Sequence, residues 1–238
     1  MSQEMPSIRD ELRTPRSAAV AGVIFSVLLF ATLALVRLSI SPDPLGSASE
    51  MKAHSKAIAL AFNLVPFTGI AFLWFIAVVR DRLGEREDRF FVTDFLGSGY
   101  LFIATLFLTA SLAGGLLTVL GNAPEALVKS GAYGLGRAQI YQTSHVYAMR
   151  MAGVFMITTC TLGLRTRIFP HWMTFLGYAL AAILLLSAGT IDWIPFVFPL
   201  WVLLISVHIL LDSYRGQHVD WAEGARAQGQ PHGGPHRS

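Results

Sequence analysis

Six continuous apolar stretches, each about as long as a helix needs to cross a bilayer, constrain this chain more than any other feature. The first runs from Ser17 to Ile40 and is interrupted only late, by Arg37. The others run from Lys56 to Val79, Leu96 to Leu120, Tyr141 to Leu164, Trp172 to Ile191 and, shortest of all, Ile194 to Leu211. In hydrocarbon every backbone N–H and C=O must be satisfied internally, so such stretches become helices or a closed barrel. Barrel strands would alternate polar and apolar residues over about ten positions. These runs are apolar throughout, so the expected fold class is all-α, a polytopic transmembrane helix bundle of about six spans. Composition agrees: 53% of the 238 residues are hydrophobic and 14% charged. A soluble domain carries roughly a quarter charged residues, and one this poor in charge would expose large apolar patches.

The domain reading follows. Residues 1–16 form a cytoplasmic N-terminal segment, residues 17–212 the six-helix transmembrane domain, and residues 213–238 a disordered cytoplasmic tail rich in Gly, Pro and His. The first span exceeds the roughly 7 to 15 apolar residues of a signal-peptide core, so it is expected to be a retained anchor. Orientation is read from Lys and Arg. With the N-terminus inside, the cytoplasmic segments hold Arg9, Arg13, Arg16, Arg80, Arg82, Arg86, Arg89, Arg165, Arg167, Arg215, Arg226 and Arg237. The external segments hold Lys52, Lys56, Lys129 and Arg137, and Arg37 and Arg150 fall within spans. Even span number then places both termini in the cytoplasm.

Three connections are informative. RDRLGEREDRFF, Arg80 to Phe91, alternates Arg with acids and reads as a solvated cytoplasmic turn, its local ion pairs worth little. The longest connection, Gly121 to Ile140, is external. Pro124 to Ser130 could form a short interfacial helix there, and Gly131, Gly134 and Gly136 are expected to keep the rest flexible. Spans 5 and 6 are joined only by Asp192 and Trp193, which makes them antiparallel neighbours, with Pro195 starting the last helix.

Polar residues at bilayer depth are expensive and are the first place to look for function. None of the 15 Asp and Glu lies in an apolar span interior, which argues against a carboxylate proton relay. Arg150 is the most informative residue, about nine residues into the fourth span and so roughly 13 Å deep. Helical periodicity groups Thr143, Arg150, Ile157, Thr158 and Thr161 on a stripe expected to face the bundle interior. Asn63, Ser111 and Tyr147 fall at a similar depth, and Pro66 frees a backbone carbonyl. Arg150, Asn63, Tyr147 and Thr158 are therefore the candidate ligand-binding residues. They form either a structural polar core that fixes helix register or an outward-facing cavity in which the guanidinium fork meets a carboxylate or phosphate.

Other chemistry finds little footing. Cys160 is the single cysteine, so no internal disulfide can form. His145 and His208 differ in depth by roughly 15 Å and cannot share one haem iron; His54 with His145 makes only two ligands. Ser98, Thr105, Thr109 and Ala113 share a face of the third span and read as a helix-packing seam. No catalytic residue, metal site or cofactor is expected.

The segments GEREDRFF (Gly84 to Phe91), YAMRMAGVFMITT (Tyr147 to Thr159) and FPLWVLLISV (Phe198 to Val207) resemble those of uncharacterised multi-span integral membrane proteins of bacteria, chiefly actinobacterial. The resemblance implies a bacterial plasma membrane and no particular activity. The expectation is thus a non-enzymatic accessory or structural membrane component. The alternative is a small transporter or a lipid- or anion-binding protein with a cavity around Arg150. Expected partners are the lipid bilayer, an anionic lipid or small anion, and further copies of the chain. The charge distribution does not suit nucleic acid.

Overall fold

The computed structural model describes residues 15–39, 48–83, 89–166, 169–187, 191 and 193–211. The expected N-terminal segment up to residue 14, the centre of the Arg-rich turn (84–88) and the C-terminal tail lie outside the described residues. Among the described residues all regular structure is helical. The order is α1 (Pro15–Ser39), α2 (Ala48–Ala53), α3 (Ser55–Leu83), α4 (Arg89–Asn122), α5 (Pro124–Lys129) and α6 (Ala132–Tyr141). A π-helical turn (Gln142–Tyr147) then runs straight into α7 (Ala148–Thr166), and α8 (His171–Leu186) follows. A 3-10 turn (Ile194–Phe196) opens the last helix, α9 (197–211).

Among the described residues five helical stretches are long and apolar enough to cross a membrane: Ala19–Ser39, Ser55–Arg80, Phe91–Asn122, Ala132–Thr166 and Ile194–Leu211. The sixth apolar helix, α8, has 16 residues. It rises about 24 Å, short of a hydrocarbon core of about 30 Å. The all-α polytopic bundle expected from the sequence is therefore what the chain builds. The fifth apolar stretch ends as a helix at Leu186 rather than at Ile191, so the link to α9 is longer than the two residues expected.

Helices α1 and α9 run antiparallel. Gly22 meets Ser206, the Phe30 and Phe196 rings lie 5.1 Å apart, and the Arg37 guanidinium sits 5.2 Å over the Trp193 ring. The first and last described residues consequently lie at one end of the bundle, here the terminal end. The opposite end carries α2, α5 and α6 and is here the capped end. At the terminal end the Arg165 guanidinium lies 4.2 Å over the Phe91 ring.

Lipid tails are as apolar as any core, so helices in a bilayer associate by close packing rather than by escape from water. The packing here centres on phenylalanine. Phe72 of α3 meets Phe25 of α1 at 4.4 Å, Phe102 of α4 at 5.4 Å, Phe155 of α7 at 5.1 Å and Phe198 of α9 at 5.9 Å. Five helices thus converge on one ring. Tilted and edge-to-face pairs of this kind contribute about 0.5–1.5 kcal/mol each beyond their area. Glycines permit the close crossings. A Cβ on Gly177 of α8 would occupy the place of Cys160 Sγ of α7 and lie 2.7 Å from Trp201 Nε1 of α9, so α8 and α9 are the neighbours the sequence suggests.

A second, smaller core lies at the capped end. Met51 of α2, Ile58 of α3, Leu116 and Leu120 of α4, Leu127 of α5 and Tyr133 of α6 pack together there. The short helix expected at Pro124 to Ser130 is present as α5. The flexible stretch expected beyond it is not. Only Gly131 takes a left-handed conformation (φ 73°), and α6 runs as helix through Gly134 and Gly136. Packing of Tyr133 and Leu127 into the cap outweighs the weak helix propensity of those glycines.

Candidate functional site

The local event that decides the geometry is the π turn at Gln142–Tyr147. Such a turn takes about one residue more than an α-helical turn and recurs at functional positions. One extra residue rotates everything beyond it by about 100°. In an unbroken α-helix, Thr143 and Arg150 would share a face. In the structure they do not.

Thr143 is buried and accepts a hydrogen bond from Thr109 Oγ1 of α4 at 3.0 Å, while its own hydroxyl reaches Gln139 O at 2.8 Å. That bond joins the seam of Ser98, Thr105, Thr109 and Ala113 to the next helix; Ser98, Thr109 and Ala113 are buried and Thr105 half-buried.

Arg150 is exposed. Of the stripe expected to face the interior, Thr143 and Thr158 are buried and Ile157 and Thr161 half-buried, whereas Arg150 points outward; the π turn between Thr143 and Arg150 is the reason they part. Tyr147, one turn nearer the cap, is also exposed, at 56%. Thr158 is buried instead, its hydroxyl donating to Val154 O and Phe155 O of its own helix at 3.1 and 3.0 Å. Asn63 is exposed on α3, as is Ser111 on α4. Helix α3 packs on α1 and α4, whereas α7 packs on α4 and α8. No hydrogen bond or ion pair joins Arg150 to Asn63 or to any other described residue. The structure thus brings Arg150 and Tyr147 together on one outer face and leaves Asn63 and Thr158 elsewhere.

The level of Arg150 follows from Arg165, exposed at the terminal end of the same helix. Fifteen residues of α7 rise roughly 22 Å. A hydrocarbon core of about 30 Å that begins near Arg165 ends roughly 8 Å beyond Arg150 toward the cap. A long stem can bring a guanidinium toward that boundary, and an exposed Tyr beside it suits the aromatic belt.

The sequence missed a second arginine. Arg137 of α6 is 7% exposed, although its position marked it as an external loop residue. Tyr133, also 7% exposed, lies one turn before it on the same helix, so two polar side chains are buried together beside the smaller core. Recognition of this pair required knowing that 132–141 is helical, because only then do Tyr133 and Arg137 fall one turn apart on one face.

Other polar side chains serve the helices themselves. The buried hydroxyls of Ser26, Thr68, Ser98, Thr159 and Ser206 each donate to a carbonyl one turn earlier, at 2.7–3.0 Å. Within the π turn, Ser144 Oγ lies 2.8 Å from His145 Nδ1 and also reaches Ile140 O at 2.7 Å. The His145 ring stacks on Tyr141 at 4.5 Å. Among the described residues no three His, Cys, Asp or Glu side chains converge as a metal site. Comparison with known proteins adds no identity: no family model, curated protein or solved structure matches the chain.

Proposed function

We propose that the chain is a non-enzymatic accessory or structural component of a bacterial plasma membrane, a bundle of about six spans, the short α8 among them, with both termini in the cytoplasm. One observation carries the reading. The bundle interior is a continuous aromatic and aliphatic core, headed by Phe25, Phe72, Phe102, Phe155 and Phe198, and the buried hydroxyls named above are occupied by their own helices. Such an interior suits packing rather than passage of a polar solute. The excess of Arg at the terminal end supports the orientation, and the resemblance of GEREDRFF, YAMRMAGVFMITT and FPLWVLLISV supports the membrane.

The test is a flux measurement. Proteoliposomes holding the purified protein should pass protons, phosphate and small carboxylates no faster than protein-free liposomes of the same lipid. A protein-dependent flux that saturates with solute would replace this reading with a transporter.

A second reading is favoured by exposed Arg150. A cation at this depth on the outside of a bundle suits an anion- or lipid-binding surface, which is compatible with an accessory role.

A further inference from the structure

We infer that the π turn is a presentation device. It turns Arg150 and Tyr147 outward so that the guanidinium holds the phosphate of an anionic phospholipid in the leaflet at the capped end. The inference rests on the anion-binding reading of Arg150 and deepens it by naming the ligand.

Four observations converge. Arg150 is exposed on a helix whose other faces are among the most buried in the bundle. It makes no hydrogen bond or ion pair with a described residue. It stands close enough to the capped-end boundary for its stem to reach headgroup depth, and too deep for free water to be the easy solution. Finally, the turn that exposes it replaces the α-helical spacing by one extra residue between Thr143, bonded into the core, and Arg150. A guanidinium in that position recognises phosphate bidentately. Tyr147 is one turn nearer the boundary, where its ring lies along the acyl chains and its hydroxyl reaches the interface. A soluble phosphate would offer the same oxygen fork, but a lipid also covers the apolar flank of Tyr147.

The experiment uses the full chain in mild detergent after delipidation. Melting temperature and native mass spectra are recorded with phosphatidylglycerol, phosphatidylcholine or inorganic phosphate, for wild type, Arg150→Met and Arg150→Lys. Phosphatidylglycerol at about a hundred times its Kd should raise the wild-type Tm by roughly 5 °C. Phosphatidylcholine and inorganic phosphate should not, Arg150→Met should lose the shift, and Arg150→Lys should keep part of it. If Arg150→Met does not fold, the wild type alone decides: a spectrum in which phosphatidylglycerol and phosphatidylcholine adducts are equal overturns the inference. A wild-type shift with inorganic phosphate equal to that with phosphatidylglycerol overturns the lipid but keeps the anion site. Indifference of wild type and both variants to every anion sinks the inference and the anion-binding reading together.

Discussion

At the scale of single residues, Phe72 and Gly177 show how the bundle packs. Phe72 is fully buried, and its ring meets rings from four other helices. Phe72→Ala removes those contacts and leaves a cavity that five helices cannot jointly collapse. A loss of about 3–5 kcal/mol is expected, read as a large drop in melting temperature in detergent. Phe67→Ala, on the exposed side of the same helix, should leave the temperature nearly unchanged. Gly177 is the converse case, since any side chain there displaces Cys160 or Trp201. Gly177→Val is expected to destabilise by about 1–3 kcal/mol, checked by the same melt. Neither residue stands out in the sequence. With 16 Phe and 21 Gly in the chain, composition does not say which ring is central or which glycine lies at a crossing.

At the scale of elements, the outer connection and the π turn separate what a linear reading captures from what it misses. Pro124 followed by Glu125 announces a helix start, and α5 is there. Three glycines announce flexibility, yet α6 is helical because Tyr133 and Arg137 are held in the cap. Of the three, Gly131 takes the left-handed backbone that favours glycine. Gly131→Val should destabilise by about 1–2 kcal/mol through left-handed backbone strain, whereas Gly131→Asn should be tolerated. The π turn predicts an asymmetry between substitution and deletion. Gln142 is exposed, so Gln142→Ala should be nearly silent. Deleting Gln142 restores α-helical spacing and rotates the two ends of the helix against each other by about 100°. Either Tyr133 and Arg137 leave the cap or Arg150 enters the core, so a marked fall in melting temperature is expected. An equally mild effect of both changes would show that the turn stores no register.

At the scale of the whole molecule, the antiparallel pairing of α1 with α9 fixes the two described ends of the chain on one side. Cysteine chemistry can then report which side of the membrane that is. Cys160 is buried, so Cys160→Ala, at a cost of about 1 kcal/mol, provides a silent background. A cysteine in place of Glu125, highly exposed at the capped end, should react with an impermeant maleimide on intact cells. One in place of Arg165, exposed at the terminal end, should react only after permeabilisation. The opposite pattern would overturn the cytoplasmic placement of the termini.

The sequence by itself determined the solvent of this protein, the helical class, the approximate extent of its spans and the neighbours α8 and α9. Those follow from backbone hydrogen bonding in hydrocarbon and from lengths of apolar chain, both of which are local. Which face of each helix meets its neighbours was decided only by the tertiary structure. In water a helix declares its buried face by an apolar stripe, but in a bilayer both faces are apolar and the pattern is silent. The polar stripe of the fourth span marked an inner face correctly for Thr143 and Thr158, but a single extra residue in the turn before Arg150 carried that side chain to the outside. Arg137 made the opposite journey, because its burial depends on a cap assembled from segments more than 80 residues apart, from Met51 to Arg137.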